Sequence, residues 1–122
     1  MGHASLLNEY ERRLGLHSWE AVKDLIHDDA VFIFSEGTFR GKQEIAQAFE
    51  RTFATIQNEK YAIHDVDWLV VSESVAVCVF EFRWTGLING QETSGAGRGT
   101  STLLKTPEGW KIIHEHLGPP PT

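Results

Sequence analysis

From Tyr61 onward the pattern takes a period of two over four long runs, and such runs in close succession fold as an antiparallel meander. The runs are Tyr61–Val71, Val75–Thr85, Glu92–Lys105 and Trp110–Leu117. Ser72-Glu73-Ser74 and Thr106-Pro107-Glu108-Gly109 separate them as turns. Asn89-Gly90 is the sharpest local signal, because both central residues of a type I′ hairpin turn need positive φ. Gly95, Gly97 and Gly99 inside the third run mark a bulge, a sharp bend or the close approach of another group.

The first half of the chain has a different period. Leu6, Leu7, Tyr10 and Leu14 recur at helical spacing, and Gly15 suits the left-handed residue that ends such a helix. Ser18 reads as the N-cap of a second helix with an apolar stripe of Trp19, Val22, Leu25 and Ile26, closed by His27-Asp28-Asp29. Ala30–Phe34 reads as a strand and Ser35–Thr38 as a turn. A third helix follows Gly41, with Ile45, Phe49 and Phe53 on one face. Gly118-Pro119-Pro120-Pro121-Thr122 cannot extend a ladder and is expected as a tail.

These elements predict one α+β domain over 1–122, with three helices packed across the concave face of a strongly curved, mostly antiparallel sheet. The shape is a cone, and its open end admits a ligand. Val75, Val77 and Val79 share one face of their strand, while Cys78, Phe80, Phe82 and Trp84 share the other. Both faces are apolar, so one lines the interior and the outer one calls for a partner, most simply a second copy of the chain.

Net charge of −6 without a Lys/Arg stripe argues against a nucleic-acid surface. No apolar run approaches the roughly 20 residues of a membrane span, and the N-terminus turns polar at Asn8, unlike a signal peptide. The single cysteine, Cys78, has no disulfide partner in the chain and fits a reducing cytoplasm.

The densest titratable chemistry lies in the last strand. Strict alternation puts Trp110, Ile112, His114 and His116 on one face, and Lys111, Ile113, Glu115 and Leu117 on the other. His114 and His116 have a spacing that two ligands of one metal can use, but no third or fourth ligand is evident, and no metal is expected. A carboxylate base in an apolar pocket with a facing donor suits proton abstraction. Asp65, Asp67, Glu81 and Glu115 are the strand carboxylates, with Asp65 and Asp67 read as a solvated edge, and Tyr10 is the candidate donor.

Phe39-Arg40-Gly41-Lys42-Gln43-Glu44-Ile45, Arg98-Gly99-Thr100 and Gly109-Trp110-Lys111-Ile112-Ile113-His114-Glu115-His116 resemble the nuclear transport factor 2-like superfamily in its SnoaL-like, ketosteroid-isomerase-like branch. The last stretch is also similar to the association domain of calcium/calmodulin-dependent protein kinase II. The resemblance covers roughly residues 4–117. It implies a conical fold, a pocket between helices and sheet, and a homodimer through the outer sheet face. In the association domain the faces matching Phe80/Phe82/Trp84 and Ser101/Glu115/Leu117 look inward. That places Glu115 in the pocket and the histidines outside, although one bulge near Gly95–Gly99 or Trp110 reverses the assignment.

The expected catalytic set is therefore Glu115, His114 and Tyr10. The expected ligand-binding set is Phe32, Phe34, Trp68, Phe80, Phe82, Trp84, Arg98, Ser101 and His116. Arg98 is either an inward cation or the cross-strand partner of Glu81. The expected ligand is a small apolar organic molecule, with no cofactor. The expected function is cofactor-free isomerase, lyase or hydrolase chemistry, with a non-catalytic binding or association module as the alternative.

Overall fold

A computed structural model describes residues 1–122. Helix α1 (His3–Leu14) leads to a short α2 (Trp19–Val22) and a 3-10 turn (Lys23–Leu25). A hairpin of β1 (Ile26–Phe34) and β2 (Gly37–Arg40) precedes α3 (Gly41–Thr55). Four long strands complete the chain: β3 (Gln57–Val71), β4 (Val75–Ile88), β5 (Gln91–Thr106) and β6 (Gly109–Gly118). All six strands form one curved sheet in the order β2-β1-β6-β5-β4-β3, with β1 and β6 parallel and every other pair antiparallel. The expected α+β cone is the fold observed.

Helix α1 buries Leu6, Leu7 and Tyr10 along one stripe, and its last turn carries Arg12 and Arg13, whose charges suit the C-terminal end of the dipole. Gly15 is right-handed, with φ −65°; the left-handed residue in this connection is His17, at φ 52°. Ser18 precedes α2 without a side-chain capping bond. His27-Asp28-Asp29 does not close a helix but belongs to β1, and Gly37-Thr38 opens β2 instead of ending a turn. In both places short polar segments pair in the sheet because β1 has neighbours on its two sides, a tertiary cause that local periodicity does not report. At the start of α3, the Arg40 N–H donates to Glu44 Oε1 at 2.8 Å, satisfying one otherwise orphaned donor.

The core lies where α1, α2 and α3 cover the sheet, around Tyr10, Ile26, Phe32, Ile45, Leu103 and Ile112. The β4–β5 ladder is unbroken from Val75 opposite Leu104 to Ile88 opposite Gln91, and Asn89 and Gly90 both have positive φ at its tip. The three β5 glycines therefore mark neither a bulge nor a break. Phe80, Phe82 and Trp84 sit opposite Gly99, Gly97 and Gly95, and each ring occupies the space a β-carbon would take. Glycine here lets bulky aromatics lie down on the neighbouring strand and keeps the concave face open above them.

One irregularity decides the chemistry. Between β5 and β6 the pairing steps from Thr102 opposite His114 to Leu103 opposite Ile112, leaving Ile113 without a partner. This bulge breaks the alternation expected for the last strand. Ile112 is buried in the core and Glu115 is buried on the same concave side. His114 and His116 turn to the outer face.

Candidate functional site

A cavity of about 610 Å³ opens between the helices and the concave sheet face. Its walls are aromatic: Phe34 and Phe39 from the first hairpin, Phe49 and Phe53 from α3, and Tyr61, Phe82 and Trp84 from β3 and β4. Tyr10 and Glu115 supply polar atoms to the wall. Pro119 and Pro120, expected as a free tail, also contribute to its lining.

Glu115 is 1% exposed. Tyr10 donates its hydroxyl hydrogen to Glu115 Oε2 at 3.2 Å, and Ser101 Oγ lies 3.5 Å from Oε1, a long contact. Ser101 is the residue directly across the ladder from Glu115. Burial raises the carboxyl pKa to about 7; the bonds from Tyr10 and Ser101 favour the charged form and only partly oppose this. Burial also pushes the Tyr10 hydroxyl well above its ordinary range, with the Glu115 charge adding to the effect.

The cavity gathers Tyr10, Phe34, Phe82, Trp84 and Glu115 from the predicted set. Ser101 stands behind Glu115 and touches it. Phe32 lies in the main core, and Phe80 packs with Leu7 and Cys78 in a second cluster, so neither lines the cavity. Trp68 packs against both clusters and takes the His3 ring edge-on at 4.6 Å. Arg98 sits opposite Glu81 on the outer face, the cross-strand alternative, and borders a separate hollow there together with His116. His114 Nδ1 is 2.7 Å from the Val31 carbonyl oxygen and faces away from the cavity. The two histidine rings are 6.5 Å apart between centroids, and no carboxylate joins them. A tighter set of potential metal ligands is His64, Asp65 and Glu81, whose ligand atoms lie within 4.8 Å of one another on the outer side of β3 and β4. Asp65 and Asp67 are exposed on the edge strand, as a solvated edge requires.

Sequence reasoning missed three features of the cavity. Phe49 and Phe53 were legible as a helix stripe but not as a wall. Tyr61 was legible only as the start of a strand. The third feature is a half-buried pair: Glu59 Oε1 lies 2.7 Å from His17 Nε2, and the His17 ring packs on Phe53 at 4.6 Å. His17 and Glu59 are 42 residues apart, and no local pattern links them.

Residues 4–121 match the family model described as the SnoaL-like domain. The chain belongs to this family. Its fold is that of the NTF2-like superfamily. An NTF2-like superfamily protein from Salmonella enterica serovar Typhimurium superposes with a TM-score of 0.89 at 25% identity, over 97% of this chain and 88% of that one. A protein from Xanthomonas campestris, named as a candidate calcium/calmodulin dependent protein kinase II association domain, gives a TM-score of 0.84 at 22% identity, covering 97% and 85%. A candidate dehydratase of the NTF2-like family from Streptomyces avermitilis gives 0.87 at 14% identity, covering 98% and 94%. The last two likenesses show the fold alone. No curated protein matches the chain in sequence. No helix is long and apolar enough to cross a membrane.

Proposed function

We propose that this SnoaL-like protein binds a small, mainly apolar organic molecule in the cavity and moves a proton on it through Glu115, as an isomerase, lyase or hydrolase. The observation that carries this reading is the position of Glu115: a buried carboxyl on the wall of an aromatic cavity, held by neutral hydroxyls. A carboxyl that ionises near pH 7 takes and returns protons at neutrality without a large driving-force penalty on either step. Tyr10 holds the carboxyl in one orientation, so the group is pre-positioned before a ligand arrives. His114 has no part in this chemistry, because it bonds to Val31 on the outer face.

The outer face supports a second element of the proposal, a homodimer. Val75, Val77 and Val79 are only partly covered there, and Leu69, Val70 and Val71 at the end of β3 are at least half exposed. A second copy seated on this face leaves the cavity, on the opposite side of the sheet, free for a ligand. It also accommodates the other reading, an association module whose cavity performs no reaction. A cytoplasmic location completes the proposal, supported by the buried free thiol of Cys78.

Solvent exchange separates catalysis from binding. In D2O at pH 7.5 the protein is expected to accelerate deuterium entry next to the carbonyl of at least one of a panel of neutral ring ketones, 2-tetralone among them. The acceleration should be on the order of 10²-fold over buffer and should vanish in Glu115→Gln. Exchange at the buffer rate for the whole panel contradicts the proton-transfer reading and favours the association module; accelerated exchange that survives Glu115→Gln contradicts the role given to Glu115.

A further inference from the structure

The last residues of the chain are placed as a free tail would not be. Strand β6 ends at Gly118, paired with Arg98, and Pro119, Pro120 and Pro121 follow without a backbone N–H to continue the ladder. The carbonyl oxygen of Gly118 already stands on the concave side, over Gly97, where a β-carbon would collide with it and with the Phe82 ring. Gly97 thus makes room twice, for the aromatic wall and for the chain as it leaves the sheet. That exit carries Pro119 and Pro120 over the concave face, where they line the cavity on one side and meet water on the other.

The rest of the wall is anchored differently. The other lining residues lie in α1, α3 or a strand, or in the short turns at Ser35-Glu36 and Ile56. None of the backbone hydrogen bonds outside the helices and strands involves residues 119–122. Apolar contact of the proline rings is what keeps this segment on the wall. Local opening costs least where backbone hydrogen bonds are few and exposure is high. Successive prolines have fixed φ and form a stiff extended rod, so the segment moves as a unit. Its pivot is Gly118, which has open space beside its α-carbon.

We propose that residues 119–122 are a strap that gates the cavity. Closed, the strap completes the wall; swung out about Gly118, it lets a ligand enter or leave. The gate rests on the small-molecule reading of the cavity and on no reaction at Glu115. Entry and release both wait on the open state, so the strap slows the two together. Affinity changes only by the contacts that the two prolines make with the ligand.

Stopped-flow binding of N-phenyl-1-naphthylamine, a neutral probe that brightens in apolar surroundings, tests the gate. The proteins compared are the wild type, a chain shortened after Gly118, and the double variant Pro119→Gly/Pro120→Gly, which keeps the length and loses the stiffness. Shortening should raise the association and dissociation rate constants together by about tenfold, as expected for an open state populated at about 10%, with Kd changed by less than about threefold. The double variant should move both rates in the same direction by a smaller factor. The melting temperature should stay unchanged, because the strap has no part in the core. Association at the wild-type rate in the variants overturns the gate and leaves the small-molecule reading intact. Faster dissociation alone makes the segment a fixed wall and overturns the gate as well. Should the shortened chain fail to fold, the double variant decides by the same two rates. Failure of the wild type to bind the probe contradicts the small-molecule reading of the cavity, and the gate with it.

Discussion

Glu115 and Glu81 are both strand glutamates, and each faces a residue of β5: Ser101 across from Glu115, Arg98 across from Glu81. Glu81 lies on the outer face, exposed to water, beside His64, Asp65 and Arg98. Its carboxyl pKa is raised chiefly because it shares a hydrogen bond with the Asp65 carboxyl, while His64 and Arg83 pull it down. Glu115 has no cation beside it and almost no water, and desolvation alone drives its pKa upward. The same side chain in the same kind of strand is a solvated surface group on one side of the sheet and a proton carrier on the other. What separates them is the opposite residue and the face, and the face is set by the bulge at Ile113.

The largest test of this contrast is stability against pH. A folded pKa of about 7 against an ordinary 4.5 means the folded chain holds the Glu115 proton more firmly than the unfolded chain does. The contribution is fully present below pH 4.5 and is lost as pH rises through about 7. The loss amounts to up to about 3 kcal/mol. Denaturant titrations from pH 4.5 to 8 should therefore show the wild type losing stability relative to Glu115→Gln across this window. Glu81→Gln should keep the loss of stability toward pH 8, because Glu81 is exposed and its shift is screened by water. Parallel profiles for wild type and Glu115→Gln would break the comparison.

A smaller effect sharpens it. Tyr10→Phe removes a bond that favours ionised Glu115, so the Glu115 midpoint should rise above its wild-type value. The variant should also lose about 1 kcal/mol of stability at pH 8, where the carboxylate is charged, and less at pH 5. An unmoved midpoint in a carbon-13 carboxyl titration would show that the bond is not formed in solution.

The sheet was legible in the chain because its cues are local. The switch of period at Tyr61, the Asn89-Gly90 turn and the apolar faces of β4 each act within a few residues. The burial of Glu115 was not legible from alternation, since a single extra residue, Ile113, inverts every side chain beyond it. The resemblance to relatives carried the right parity where alternation alone put Glu115 opposite Ile112. Phe32, Phe80 and Trp68 looked like wall residues because aromatic type is visible in a sequence and depth along a cone is not. His116 went to the outer hollow for the parity reason, and Arg98 is there because the unbroken β4–β5 register sets it opposite Glu81. Tyr61 and the His17–Glu59 pair stayed hidden because their meaning lies in contacts across long stretches of chain.

The most direct test of the central claim is the carboxyl titration of Glu115 itself, by carbon-13 NMR on glutamate-labelled protein, with Glu115→Gln assigning the signal. A midpoint near pH 7, well above those of the exposed glutamates, is the predicted result. A midpoint in the ordinary carboxylate range would mean that water or a cation reaches Glu115, and the cavity would lose its proton carrier.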